Sequence, residues 1–299
     1  MKLGAMGIEI GDGEFGAAGR LVLRGVGVVP GALTERVLFG DLPFAVRNVL
    51  QKALQRVVGG PRAIRVRFTA GPLAGWDFDC LTSERYFVLG ANYEQSVTDT
   101  LARLVRAGDV VYDVGAHAGY SALVFARLSG DGHVYAFEPS PGTFERLRGN
   151  VELNRARVTP INAGAWDAEG RLRLAEKGTE SRVLADGVSA DVPVSDVRLL
   201  RLDDFAYRDG HPPADVLKID VEGLGVRVLT GAREMLASAR PRVLLEVHDP
   251  IEQRDALDIL RRHGYTTHAL ESARRYPFHV LARPATAAFR ARPDARLSA

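Results

Sequence analysis

The chain has 299 residues, 46% of them hydrophobic, enough for one large core or a core with a smaller cap, which excludes a wholly disordered protein. Its 39 basic and 37 acidic residues nearly cancel, so the pI near 8.8 reflects a small surplus of Arg and Lys, and charge gives no reason to expect a nucleic-acid partner. Cys80 is the only cysteine, which excludes an intramolecular disulfide and fits a packing role in a reduced, cytoplasmic setting.

From the N-terminus, residues 1–40 are glycine-rich and give no readable pattern, and they lack the apolar core and cleavage site of a secretory signal. The apolar run Leu21 to Pro30 is broken by Arg24, Gly25 and Gly27, and no stretch approaches the roughly 20 apolar residues of a membrane span, so no membrane association is expected. Asp41 and Pro43 open a helical pattern carried by Phe44, Val46, Val49, Leu50, Ala53, Leu54 and Val57, which Gly59-Gly60-Pro61 ends. Residues 65–69 and 76–80 alternate polar with apolar side chains, as two half-buried strands joined by a turn at 71–75 do. Residues 41–92 therefore predict a small α+β cap.

From about residue 94 the pattern becomes helix, apolar strand, glycine turn and helix, repeated with short connections. It predicts an α/β fold, doubly wound, with a mostly parallel seven-stranded sheet covered on both faces. Strands are predicted at 110–114, 133–138, 159–163, 216–219, 242–246, 265–270 and 279–282, and helices most clearly at 121–128, 141–153 and 251–263. The basic tail 284–299 is expected to fray.

The most informative segment runs from Val110 to Ser121, a buried strand leading through Gly115-Ala116-His117-Ala118-Gly119 into a helix. The turn is GxxxG, not the GxGxxG that brings a pyrophosphate to a helix N-terminus. Asp113 at the strand end would repel a pyrophosphate but suits a ligand carrying an ammonium and a sulfonium, as the methionine half of S-adenosylmethionine does. The alternative is a turn needed only for packing. In Val134 to Pro139, Glu138 ends the next strand nineteen positions after Gly119, where a carboxylate can accept from both hydroxyls of a ribose, or merely cap the following helix. Asp220 and Glu222 leave the strand at 216–219, with Lys218 placed to pair with one of them, and Glu246 and His248 leave the strand at 242–246 on one side of the chain. In open α/β sheets ligands bind at the carboxyl ends of strands, so these four exits share a crevice. Any one acid there can simply be solvated, and a single His is often structural. Near Asn162 to Asp167, Ala165 and Trp166 lie where an adenine is usually held, Trp166 either stacking on the base or packing as a core residue.

The run from about Glu94 to Pro250 resembles the FkbM family of S-adenosylmethionine-dependent methyltransferases. The resemblance rests on DVGAHAGYSA at 113–122, YAFEPSP at 135–141, NVELN at 150–154, LDDF at 202–205, LKIDVEG at 217–223 and LLEVHDP at 244–250. It implies that Asp113, Gly115, His117, Gly119, Glu138 and Pro139 bind S-adenosyl-L-methionine, and that Asp220, Glu222, Glu246 and His248 face the acceptor. It divides the chain into an N-terminal, substrate-side region at 1–92, a methyltransferase domain at 93–283 and a basic tail at 284–299. Two departures stand out: the family usually has Asn where this chain has His117, and an acid where it has Gly225.

Methyl transfer to an alcohol oxygen needs a general base, for which His248 is the candidate, or a divalent cation on Asp220, Glu246 and His248. That oxygen-rich set suits Mg²⁺ or Mn²⁺ better than zinc. The expected reaction is O-methylation of a small molecule, sugar or natural product by a cytoplasmic enzyme, with a homodimer compatible. An RNA or other nucleic-acid methyltransferase is the nearer alternative, because 150–154 is similar to RNA-modifying relatives, although no NPPY-like segment follows the fourth strand. A nucleotide-binding oxidoreductase, which would want GxGxxG, and a scaffold without activity rank behind.

Overall fold

The structure, a computed structural model, describes residues 2–3, 8–10, 63–81, 95–175, 182–184, 193–270 and 276–285. The helix expected at 41–57, most of the unread N-terminal segment and the tail beyond 285 lie outside the described residues.

A four-stranded sheet comes first, with β1 (Lys2–Leu3), β2 (Ile8–Ile10), β3 (Ala63–Phe68) and β4 (Asp77–Leu81) paired antiparallel in that order. β3 and β4 are the two half-buried strands read from alternation. Their inward residues Ile64, Val66, Phe68, Phe78 and Cys80 are buried, so Cys80 is a core residue. On the outer face Arg65 and Arg67 grip Asp79 and Asp77, each through two hydrogen bonds.

Next come α1 (Gln95–Leu104), β5 (Val110–Val114), α2 (Tyr120–Ser129), β6 (His133–Phe137), α3 (Pro141–Asn154) and β7 (Val158–Ile161). After an insert, α4 (Leu202–Tyr207), β12 (Val216–Ile219), α5 (Gly225–Gly231), α6 (Arg233–Ser238), β13 (Arg242–Val247), α7 (Pro250–Arg262), β14 (Tyr265–Ala269) and β15 (Phe278–Pro284) complete the chain. These strands form one seven-stranded sheet in the order β14-β15-β13-β12-β5-β6-β7. All pairings are parallel except the two made by β15. All five residues of β5 and all four of β12 are buried, as strands covered on both faces must be.

The insert carries β8 (Gly164–Ala165), β9 (Gly170–Ala175), β10 (Arg182–Leu184) and β11 (Val194–Leu200), a second small sheet in the order β10-β9-β11-β8. The sequence reading assigned no strands there.

Two buried clusters flank the main sheet. One joins α1, α2 and α3 to the β3–β4 hairpin, with Phe68, Phe78 and Tyr120 meeting ring to ring, and the other packs α4 to α7 on the opposite face. The strand order reverses between β5 and β12, and the crevice at the carboxyl ends of these two strands is the switch point where open α/β sheets bind ligands.

Candidate active site

The turn after β5 is held by main chain. Gly115 and Ala116 donate to the Phe137 carbonyl, and His117 donates its backbone N–H to Glu138 Oε2 at 3.0 Å. Gly115 has φ +79°, and a Cβ there would stand 1.8 Å from the Asp220 carbonyl oxygen, so glycine is required by both conformation and contact. At Gly119, which caps α2 with φ +96°, a Cβ would meet Leu147 at 2.7 Å. His117 sits at φ +49°, a left-handed position where Asn and His are both enriched among residues other than glycine. The exchange of the family's usual Asn for His is therefore a backbone-compatible one.

Asp113 does not face the open crevice. It lies one residue inside the end of β5 with no exposed surface, accepts from Ser121 Oγ at 2.7 Å, and has Lys218 Nζ 3.4 Å from Oδ1, an oxygen without a hydrogen-bond partner. Burial raises its pKa against the pull of Lys218 and Ser121. The side chain is thus held, fully buried, under the glycine turn.

Glu138, just past the end of β6, is 7% exposed, with Oε1 accepting from the Ser140 N–H at 2.9 Å and Oε2 from His117. Ser140 is the N-cap of α3, so Glu138 does contact the helix start, while each oxygen keeps a lone pair for a ligand hydroxyl. Burial pushes its pKa up to about 7 against those two N–H donors. Asn162, which the sequence reading left without a role, donates to the carbonyls of Glu138 and Pro139 and fixes the chain at this exit.

Across the switch point, strand register assembles the other half. Lys218 pairs with Asp113 between β12 and β5, and Ile219 pairs with Leu245 between β12 and β13, which sets Asp220 beside Glu246 one residue beyond. Glu246 stands opposite His279 of β15. Lys218, 4% exposed, bridges Asp113 and Asp220, with Nζ 3.2 Å from Asp220 Oδ2. Burial pushes Asp220 up, but Lys218, a hydrogen bond shared with Glu246 and the nearby His279 outweigh it and hold the carboxyl well below the usual range. Asp220, Glu246 and His248 offer ligand atoms within 4.8 Å of one another. His248 Nε2 lies 3.4 Å from Glu222 Oε2 and 3.5 Å from Glu246 Oε2. Glu222 is half-exposed and left-handed at φ +49°, strain of the kind that collects at functional turns. Burial lowers the His248 pKa, but Glu252, Glu222 and Asp220 together raise it above 6.5. Two residues of this group were missed from sequence. His279 lies in a mostly apolar strand, Phe278–Pro284, and gives no signal of its own. Glu252 follows Asp249 by three, the spacing of a capping box, and so reads as part of a helix start.

Other residues carry structure. Trp166 lies beside α5, with the Arg227 guanidinium 5.6 Å over one face of its ring and its carbonyl against Gly231. Ala165 is buried in β8, paired with Leu200. The amides of Asn150 and Asn154 bond the backbone N–H and C=O of Asp79 and Asp77, clamping β4 onto α3. Asp203 accepts from the Glu234 and Met235 N–H groups at the start of α6. Among the described residues, no helix is long and apolar enough to cross a membrane.

This doubly wound sheet, with one antiparallel strand near its edge and a glycine turn meeting acidic strand exits at the switch point, defines a class I, Rossmann-like methyltransferase. The methyltransferase FkbM domain model matches residues 113–267, more than half of the chain, and the chain belongs to that family of S-adenosylmethionine-dependent methyltransferases. It is 29% identical over 170 residues to hexuronic acid methyltransferase AglP of Haloferax volcanii, covering 56% of this chain and 67% of that one. It is 29% identical over 194 residues to 31-O-demethyl-FK506 methyltransferase FkbM of Streptomyces tacrolimicus, covering 54% of this chain and 74% of that one. The solved structure of methyltransferase FkbM from Methylobacillus flagellatus aligns over 89% of this chain and 60% of its own, with a TM-score of 0.45 at 15% identity.

Proposed function

We propose that this enzyme is an O-methyltransferase acting on a hydroxyl of a small molecule, a sugar or a natural product. The observation that carries the reading is the convergence of Asp220, Glu246 and His248, donor atoms within 4.8 Å of one another, beside the glycine turn. The substrates named for the relatives, a hexuronic acid and the 31-oxygen of a demethylated FK506, support an oxygen acceptor.

The donor set fits S-adenosyl-L-methionine: Glu138 suits the ribose diol, the backbones of Gly115, His117 and Gly119 with Pro139 and Ala165 would line its place, and the Asp113 carboxyl, buried under the turn, would offset its cationic end. When bound it supplies an electrophilic methyl on a sulfonium. The protein's own work is to orient the acceptor and move one proton. His248 Nε2 would take the hydroxyl proton, Asp220 and Glu246 would orient the oxygen and Glu222 would contact the acceptor at the rim, so that the oxygen's electron pair can accept the methyl as its bond to sulfur breaks and leaves its electron pair on sulfur. Residues 1–92 serve as a substrate-side cap on the 93–283 domain, the protein works in the cytoplasm on free metabolites rather than nucleic acid, and a homodimer is compatible with this role.

The same three donors favour a second reading, in which Mg²⁺ or Mn²⁺ on Asp220, Glu246 and His248 lowers the hydroxyl pKa. Thermal shift with S-adenosylhomocysteine, NAD and buffer, followed by methyl transfer to hydroxylated acceptors with and without EDTA, tests both. S-adenosylhomocysteine at about 100 times its Kd is expected to add roughly 2.7 kcal/mol of stability and NAD none. Methylation only of nucleic acid overturns the acceptor class, and activity indifferent to EDTA removes the metal.

A further inference from the structure

The carboxylate of Glu252 is 3% exposed and belongs neither to the strand exits nor to the glycine turn. It sits in the first turn of α7, a helix started by Asp249, whose side chain accepts from the Ile251 and Glu252 N–H groups. A glutamate in that place normally reaches back to the capping residue's own N–H. Glu252 instead reaches across the crevice floor. Oε1 accepts from the Gly225 N–H at 2.8 Å and Oε2 from the His248 N–H at 2.8 Å, so one buried carboxylate ties the chain after β12 to the chain after β13. These are the two exits that carry Asp220 and His248.

The glycine at 225 is the other half of this arrangement. A Cβ there would stand 2.8 Å from Glu252 Oε1 and 2.8 Å from Leu245 Cδ1. The space beside residue 225 is thus the space the Glu252 carboxyl fills. The same carboxyl also faces the imidazole. His248 Nδ1 is buried without a hydrogen-bond partner, and Glu252 Oε2 lies 3.6 Å away, too far for a hydrogen bond but close enough for the negative charge to favour a proton on Nδ1. That tautomer leaves the lone pair on Nε2, the atom turned toward Glu222 and Glu246.

We propose that Glu252 is the positioning residue of the acceptor site, locking the 222–225 turn to the His248 backbone and setting the Nδ1–H tautomer of the His248 ring. The inference rests on the proposed acceptor side, and it holds whether Nε2 serves as base or as metal ligand, since a ligating histidine also gives its second N–H to a carboxylate.

The test compares full-length wild type with Glu252→Gln, Glu252→Ala and His248→Ala. Turnover, KM for the acceptor, S-adenosylhomocysteine affinity and the ¹⁵N shifts of the His248 ring are read. Glu252→Ala is expected to lower kcat by about tenfold or more, as loss of a supporting carboxylate does, with cofactor affinity unchanged. The tautomer of the His248 ring is the readout that a merely structural role for residue 252 would not move. Glu252→Gln, which keeps the shape, is expected to move the His248 ring toward the Nε2–H tautomer, and this readout stands even where Glu252→Ala does not fold. Full turnover in Glu252→Ala while His248→Ala is inactive overturns the proposal, as does an unchanged His248 tautomer in Glu252→Gln. Full turnover in His248→Ala overturns the acceptor-side reading itself, and the Glu252 proposal with it.

Discussion

On the β5–β6 side of the crevice the main chain does the holding, through two glycines with positive φ, a left-handed His117 and N–H groups shared between the Phe137 carbonyl and Glu138. On the β12–β13 side the work passes to side chains: Lys218 holds Asp220, and the Glu246 and Glu252 carboxylates lie within 3.6 Å of the His248 ring. The first half is therefore specified by backbone geometry and tolerates only residues that fit the turn. The second is specified by strand register and tolerates only changes that keep charge and reach. Substitutions on the two sides should fail in different ways, the first by misfolding the turn and the second by stopping chemistry in a folded protein.

The largest effect is expected at Gly115, where the two halves touch. Gly115→Ala puts a Cβ 1.8 Å from the Asp220 carbonyl at φ +79°, and either the turn or the acidic exit must move. We expect a loss of about 3–5 kcal/mol in denaturant midpoint experiments, the left-handed penalty and the overpacking together, with cofactor binding and turnover both lost. Gly75→Ala is the control: φ is +85° but nothing lies within 4 Å, so about 1–2 kcal/mol should go and activity should remain. Equal losses in the two variants would show that the contact with Asp220 does not matter.

On the side-chain half, Asp220→Asn and His248→Ala should each slow methyl transfer by roughly a hundredfold or more, with S-adenosylhomocysteine affinity nearly unchanged, the pattern of groups used mainly in the transition state. Full turnover of both variants on the true acceptor would take the chemistry away from β12 and β13.

The same contrast governs what could be read from the sequence. Strands β5 and β12 were legible to the residue because both faces are buried and each run is apolar but for one charged residue, Asp113 or Lys218, which pair with each other. The set Asp220, Glu246 and His248 was legible because parallel register carries each strand exit to the same edge. His279 and Glu252 were not, since an antiparallel pairing with β15 and a reach from α7 to Gly225 are set by tertiary contact. The strands of the 164–200 insert were not legible although Arg171 to Leu174 alternate, because β8 and β10 are only two and three residues long and the sheet exists only through pairing between separate segments. Asn150 and Asn154 were noticed as a motif, but only the structure shows that their amides hold β4.

A smaller effect is expected at Glu138. Glu138→Ala removes charge-assisted hydrogen bonds to the proposed ribose diol, and cofactor binding should weaken by about 1.5–3 kcal/mol in isothermal titration while kcat at saturating cofactor stays close to wild type. Unchanged affinity would leave Glu138 as a cap on α3 alone.

The smallest effect, and the one that separates the two sides without a mutation, is their pH response. Glu138 has its pKa raised by burial from 4.5 to about 7, and in the free protein its ionisation removes stability as pH rises through that interval. The ionised form is the one that accepts from two hydroxyls, so cofactor affinity should fall as pH drops below about 7, by up to tenfold per unit. His248 is raised above 6.5 because Glu252, Glu222 and Asp220 outweigh its burial, so its charged form adds stability below 6.5 that is lost as pH climbs through the folded value. Only the neutral ring can take a proton, and kcat at saturating cofactor should therefore rise with pH through a value above 6.5. Cofactor Kd and kcat measured across the same pH series should thus titrate separately, the first abolished by Glu138→Gln and the second untouched by it. A single shared pKa for both quantities would mean that one group governs the whole crevice, and the division between a backbone-built side and a side-chain-built side would not extend to its chemistry.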